Sequence, residues 1–180
     1  MNFPRFSVGA GPTASSPRLG VVSEETRWLD AAQQRSWRGL IMGMTLLQDK
    51  LDDDLRATFD LSLAEYEILV RLSESDGTLR MAQLASAMGH SRSRVTHTIA
   101  RMEKAGLVER RTSRVDGRGV DAVLTRKGHD LLVEAAPVHV SGVRDHLVDL
   151  ASKEDFAALG RVMNAVADHL ISERPDLEIR

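Results

Sequence analysis

Apolar residues recur three or four apart at Trp37, Leu40, Ile41, Met44, Leu47, Leu51 and Leu55. This spacing predicts one long amphipathic helix from Trp28 to about Phe59. The run Leu61-Ser62-Leu63-Ala64-Glu65-Tyr66 then places Ser62 and Glu65 at capping-box spacing, with Leu61 and Tyr66 positioned as a hydrophobic staple. The helix it starts should reach about Ser73 and stop at Glu74-Ser75-Asp76-Gly77. A short helix, Arg80 to Met88, should end at Gly89. Ser91 can cap a further one reaching about Ala105, with Val95, Ile99 and Met102 as its inward stripe and Gly106 as its stop. Beyond Gly106 the period shortens. Residues 107–112 and 119–124 read as strands, and the Asp116-Gly117 pair between them favours a tight hairpin. Helical spacing returns from Thr125 to about Leu150, where Pro137 is expected to kink or break it. A last helix, Lys153 to Ser172, carries Phe156, Leu159, Val162, Met163, Val166 and Leu170.

Residues 1–23 follow neither period. They hold Pro4, Pro12 and Pro17 with three glycines and four serines, the composition of a flexible tail. The remaining chain of a 180-residue sequence with 42% hydrophobic and 28% charged residues has enough apolar material for one good core. There is no cysteine. Disulfides, thiol nucleophiles, cysteine zinc sites and thiol-based redox switching are thereby excluded. The longest apolar stretch, Leu40 to Leu47, is interrupted by Gly43 and Thr45. It falls far below the ~18 residues of a membrane span. Met1 to Gly20 lacks the apolar core of a secretory signal. A soluble, cytoplasmic protein is expected.

Catalytic constellations are missing. His139 and His146 are seven residues apart, too far for the i, i+4 metal pair of zinc hydrolases, and no P-loop, G-x-S-x-G or G-x-G-x-x-G occurs. Asp52-Asp53-Asp54 reads as an exposed charge run. No catalytic residue, metal or cofactor is expected.

Two short helices joined through Gly89-His90 and followed at once by a hairpin form the pattern of a winged helix-turn-helix, whose second helix reads the DNA major groove. With Val95, Ile99 and Met102 inward, Arg92, Ser93, Thr96, His97 and Arg101 must face outward. Their donors and acceptors suit base edges and phosphates. Net charge over the chain is −2. Residues 80–128 hold eleven lysines and arginines against four acids, a net +7; the thirteen basic and twenty-two acidic residues elsewhere give −9. A basic segment coinciding with a reading helix is the electrostatic footprint of a DNA-binding surface.

The stretch from Ser91-Arg92-Ser93-Arg94-Val95-Thr96-His97 to Gly106-Leu107-Val108-Glu109-Arg110 resembles the recognition helix and first wing strand of the MarR family of bacterial regulators. Asp116-Gly117-Arg118 and Val123-Leu124-Thr125-Arg126-Lys127-Gly128 resemble that family's wing and the start of its next helix. The likeness covers roughly residues 28–172 in helix order and is motif-specific from about Leu84 to Gly128. His97 and Ala100 depart from the arginine and acid often found there, so base preference does not carry over. The resemblance implies that Ser91, Arg92, Ser93, Thr96 and His97 face the major groove; Arg94 and Arg101 of the same helix complete its DNA-binding candidates. Arg118 would be the wing-tip arginine entering the adjacent minor groove. Asp116 would brace that arginine or serve as an ordinary turn residue. Arg110, Arg111 and Arg114 would touch phosphates, or pair with Asp116 or Glu109.

The expected fold is mainly α with a small β-hairpin wing: a winged helix-turn-helix at 61–128, flanked by dimerisation helices at 24–60 and 129–180, behind the tail at 1–23. The stripes of the first and last helices are hard to bury on a winged core alone, and a two-fold homodimer would cover them. Double-stranded DNA is the expected partner, and repression the expected effect. The family resemblance adds a small, frequently aromatic acid as effector, for which Trp37, Arg38, Met42 and Met44 are the candidate residues. A winged-helix protein-interaction module without DNA binding is the rival reading.

Overall fold

The computed structural model describes residues 26–113 and 119–173. Its elements run α1 (Ala31–Phe59), α2 (Leu63–Glu74), β1 (Thr78–Arg80), α3 (Met81–Ala87), α4 (Arg92–Lys104), β2 (Val108–Thr112), β3 (Val120–Leu124), α5 (Arg126–His146), a single 3-10 turn (Val148–Leu150) and α6 (Lys153–Ser172). The tail expected at 1–23 lies outside the described residues.

The chain divides into two units, one ending at Trp37 and the other Arg38–Arg180. In the first, Asp30 caps α1: its carboxylate accepts from the Ala32 and Gln33 amides at 2.7 and 2.8 Å, and the Gln33 side-chain oxygen accepts from the Asp30 amide at 3.0 Å. Two of the helix's orphan donors are satisfied by this exchange.

The second unit holds the core. Leu55, Leu61, Ile68, Leu69, Leu72, Leu84, Val95, Ile99, Met102 and Val108 are closed from solvent, with Tyr66, Ala122 and Ala135 in the same cluster. The inward stripe of α4 therefore meets α2, α3 and the base of the sheet. The anticipated α2 start is present in full: the Ser62 hydroxyl accepts from the Glu65 amide, and the Glu65 carboxylate accepts from the Ser62 amide. Gly89 (φ +60°) and Gly106 (φ +73°) end α3 and α4 in the left-handed conformation that side chains disfavour.

Three expectations are refined. Thr78–Arg80, read as loop and helix start, is a short strand pairing antiparallel with β3, so the sheet has three strands in the order β1-β3-β2. Arg80 accordingly caps α3 and is not its first turn. Pro137 breaks nothing: α5 runs through it, and the helical pattern ends at His146 with the 3-10 turn beyond. Pro137 is exposed.

The apolar stripe of α1 is covered only at its C-terminal end. Leu51 and Leu55 are buried, whereas Ile41, Met42, Met44 and Leu46 are exposed. In α6 no residue is buried, and Val162, Met163, Val166 and Leu170 lie open to solvent. No helix among the described residues is long and apolar enough to cross a membrane.

Candidate nucleic-acid interface

Helix α4 begins at Ser91, whose hydroxyl accepts from the Arg94 amide at 3.3 Å. Its first turn carries no acid but two arginines, Arg92 and Arg94, at the positive end of the helix dipole. For the helix by itself this is the wrong sign; an anion brought to that end would reverse the cost. Ser91, Arg92, Ser93, Arg94, Thr96 and His97 are all exposed, opposite buried Val95, Ile99 and Met102. The Thr96 hydroxyl donates to the Arg92 carbonyl at 2.8 Å, leaving its lone pairs and methyl outward. The six residues lie on one polar surface of the second helix of a helix-turn-helix.

Antiparallel β2 and β3 run beside this helix, in register from Val108↔Leu124 to Thr112↔Val120. The Ser113 amide donates to the Gly119 carbonyl at 2.8 Å and closes the ladder toward the tip. The tip residues Arg114, Asp116 and Arg118 lie outside the described residues.

Three of the expected DNA-facing arginines have protein partners. Arg111 pairs with Glu109 at 2.7 Å, one of the two partners anticipated for the wing. Arg110 takes a partner the sequence did not indicate: its guanidinium donates twice to Glu103 of α4, at 2.9 and 2.7 Å, and its amide once more at 3.1 Å. Those bonds hold the Glu103 carboxyl below its usual range and tie the reading helix to the wing strand. Both pairs are solvent-exposed and worth little individually, so a phosphate can compete for either arginine. Arg101 differs. Its Nε donates to the Glu65 carboxylate at 2.7 Å, and that carboxylate is buried at the start of α2. Burial by itself would raise the Glu65 carboxyl, but bonds from Arg101 and from the Ser62 hydroxyl and amide outweigh it and hold the group low.

The candidate effector residues Trp37, Met42 and Met44 are exposed on α1, as is Arg38. A cavity of about 400 Å³ lies elsewhere, lined by Tyr66, Glu67, Val70, Arg71, Ala87 and His139, among others. The Tyr66 and His139 rings stand 4.5 Å apart, and the buried His139 Nδ1 has no hydrogen-bond partner. Burial pushes this imidazole below its ordinary value and the Tyr66 phenol above its own. The sequence marks Tyr66 only as a staple residue and His139 only as one of two histidines spaced too widely for a metal pair.

A reading helix seated on α2 and α3, with a three-stranded sheet extending beside it, defines a winged helix-turn-helix. Residues 59–119 match the profile of the MarR family. The chain is 43% identical to AbsC, a MarR family transcriptional regulator from Streptomyces coelicolor, over 82% of this chain and 99% of that one, with a TM-score of 0.77. It is 40% identical to Sco3205 of the same organism, a structure solved in complex with DNA, over 82% of this chain and 93% of that one, with a TM-score of 0.78. The HTH-type regulator PecS of Dickeya dadantii (strain 3937) shares 28% identity across 76% of this chain and 82% of its own length. The chain belongs to the MarR family. It is a DNA-binding transcriptional regulator and not an enzyme.

Proposed function

We propose that this regulator is a ligand-responsive repressor that binds a pseudo-palindromic operator as a homodimer. The observation that carries the reading is the polar face of α4, with Arg92 and Arg94 concentrated at its positive end. Ser91, Arg92, Ser93, Arg94, Thr96 and His97 would meet the major groove. Arg118 would enter the flanking minor groove, with Arg110, Arg111 and Arg114 on phosphates and Asp116 bracing the wing.

The open apolar faces of α1 and α6 support a two-fold partner. Met42 and Leu46 on one helix and Val162 and Leu170 on the other are large apolar side chains left open to solvent, as a partner surface would require. Residues 24–60 and 129–180 would then join the copies, and 61–128 would read DNA. Two reading helices set ~34–36 Å apart would match successive major grooves on one side of the duplex.

For the effector, the Tyr66–His139 cavity is favoured over the α1 residues Trp37, Arg38, Met42 and Met44. Its volume suits a small ligand, and the Tyr66–His139 pair, its rings already in contact, offers a ring edge or outer face to an aromatic one. Arg71 at its rim could take a carboxylate, after giving up the 3.6 Å pairing with Glu74. Because coupling is reciprocal, such an acid would bind the DNA-free form more tightly.

Electrophoretic retardation of fragments from the promoter beside its own gene, with and without phenolic acids, tests the proposal. Retardation that an acid reverses is expected. Retardation indifferent to every acid would leave a plain repressor, and sedimentation as a 19.8 kDa species at micromolar concentration would overturn the dimer.

A further inference from the structure

Arg101 presents an inconsistency for a DNA ligand. It lies on the reading helix and much of its side chain is exposed, yet its Nε is committed to a carboxylate that is itself buried. That carboxylate, Glu65, already accepts the Ser62 amide at 2.9 Å and the Ser62 hydroxyl at 2.6 Å through its other oxygen. Arg101 Nη2 reaches the same hydroxyl at 3.5 Å. One residue further on, the Leu63 amide donates to Asp52 of α1 at 2.7 Å, and Asp52 pairs with Arg56. The start of α2 is thus held by a carboxylate from α1 on one side and by the guanidinium of α4 on the other.

We propose that Arg101 is a positioning residue that acts on DNA recognition through Glu65, locking the reading helix to the α1–α2 junction. The proposal rests on α4 being the reading helix. Its consequence concerns the angle of α4: hydrophobic contacts of Val95, Ile99 and Met102 hold the helix to the core but tolerate rotation and sliding, because dispersion has no preferred direction. A directed, charge-assisted bond to a buried acceptor does not. The same junction continues into α1, so the lock links the orientation of each reading helix to the element proposed to join the two copies.

The sign of one substitution separates this from a phosphate contact. Glu65→Gln keeps the capping box, which glutamine also serves, and removes a negative charge near the DNA face. If Arg101 touched phosphate, freeing it in this way would tighten binding. If it acts through Glu65, binding weakens.

The test measures affinity by fluorescence anisotropy across a salt series, using a duplex that the protein itself selects from a random-sequence pool. Glu65→Gln and Arg101→Ala are each expected to weaken binding at least about fivefold, the low end of ordinary coupling between sites. The double variant should be no weaker than Arg101→Ala alone, since both changes remove one interaction. The slope of log affinity against log salt should stay unchanged in all three. Arg101→Lys, which keeps the charge and loses the fork, should behave like the alanine variant and serves if that one does not fold. A slope lowered by about one in Arg101→Ala, with binding unchanged or tighter in Glu65→Gln, overturns the proposal. Arg92→Ala tests the underlying reading separately: full affinity there means α4 is misassigned, whatever Arg101 does.

Discussion

Gly128 sits at the third position of α5, directly beneath the wing, and the structure leaves no room for anything larger. A methyl group there would lie 2.1 Å from the Leu107 carbonyl oxygen and 2.9 Å from the Leu124 side chain. The carbonyl cannot simply withdraw. It accepts the Thr125 amide at 3.2 Å and, at 3.0 Å, shares the Thr125 hydroxyl proton with the Gly106 carbonyl at 2.8 Å, and that hydroxyl caps α5 by accepting the Gly128 amide at 3.0 Å. Gly128→Ala should gain about 1 kcal/mol in helix propensity. Against this stand about 1–3 kcal/mol for forcing a methyl group into filled space, and about 1 kcal/mol for each of the two bonds to Leu107 disturbed by the shift. The net expectation is a loss of about 3 kcal/mol, a large share of a typical domain's stability. Urea denaturation at fixed protein concentration reads it as a lower midpoint with an unchanged slope. Gly160→Ala is the comparison, since within one copy of the chain the added methyl meets nothing within 4 Å and gains helix propensity there. A Gly128→Ala midpoint equal to or above that of the parent protein would refute the packing argument.

Further outcomes are expected on the DNA side and in acid. Arg92→Ala should cost ~1–3 kcal/mol of operator affinity by fluorescence titration, as the loss of one base contact does, and Thr96→Ala should fall in the same range; a change under a few tenths in both would place the reading face elsewhere. Arg118→Ala should weaken binding most at positions flanking the half-sites, and an unchanged footprint would remove the wing from minor-groove contact. The depressed carboxyls of Glu65 and Asp52 stabilise the fold fully above the unfolded values near 4 and lose that contribution as pH falls through their lower folded values. Glu65→Gln should therefore flatten the acid limb of a stability–pH curve, and an unaltered limb would mean Glu65 is not held ionised. His139, whose imidazole is pushed low by burial, takes up its proton later than the unfolded chain does. Stability should accordingly start to fall as pH drops below about 6.5, and His139→Gln should reduce that early loss, as read by thermal melting across pH 5–7.

Most of the backbone plan was legible because its signals are local. Ser62 and Glu65 start α2 with groups three residues apart, and Gly89 and Gly106 end helices through their own φ values. The open polar face of α4 followed from 3.6-residue spacing against Val95, Ile99 and Met102. What escaped were pairings between distant residues. Thr78–Arg80 is too short to show a period, and it is a strand only because β3 lies beside it. Arg101 looked like one more outward cation; its partner is 36 residues earlier in the chain. Arg110 and Glu103 are seven residues apart across a change from helix to strand, where spacing rules lapse. Pro137 lies inside α5 because one exposed turn of a 21-residue helix can forgo the amide donor that proline lacks.

By itself, the sequence determined the order and ends of nearly every element, the excess of positive charge on residues 80–128, and the exclusion of thiol chemistry. These depend on near neighbours and on composition, which any chain with this sequence carries whether folded or not. Only the tertiary structure decided which cations remain available to a partner and which are held, with Arg92 open and Arg101 bound to buried Glu65. It alone also brought Tyr66 and His139 together around a cavity, and pressed Gly128 against the Leu107 carbonyl. Coulomb and contact forces act over a few ångströms, and which groups come that close is settled by the path of the chain through space.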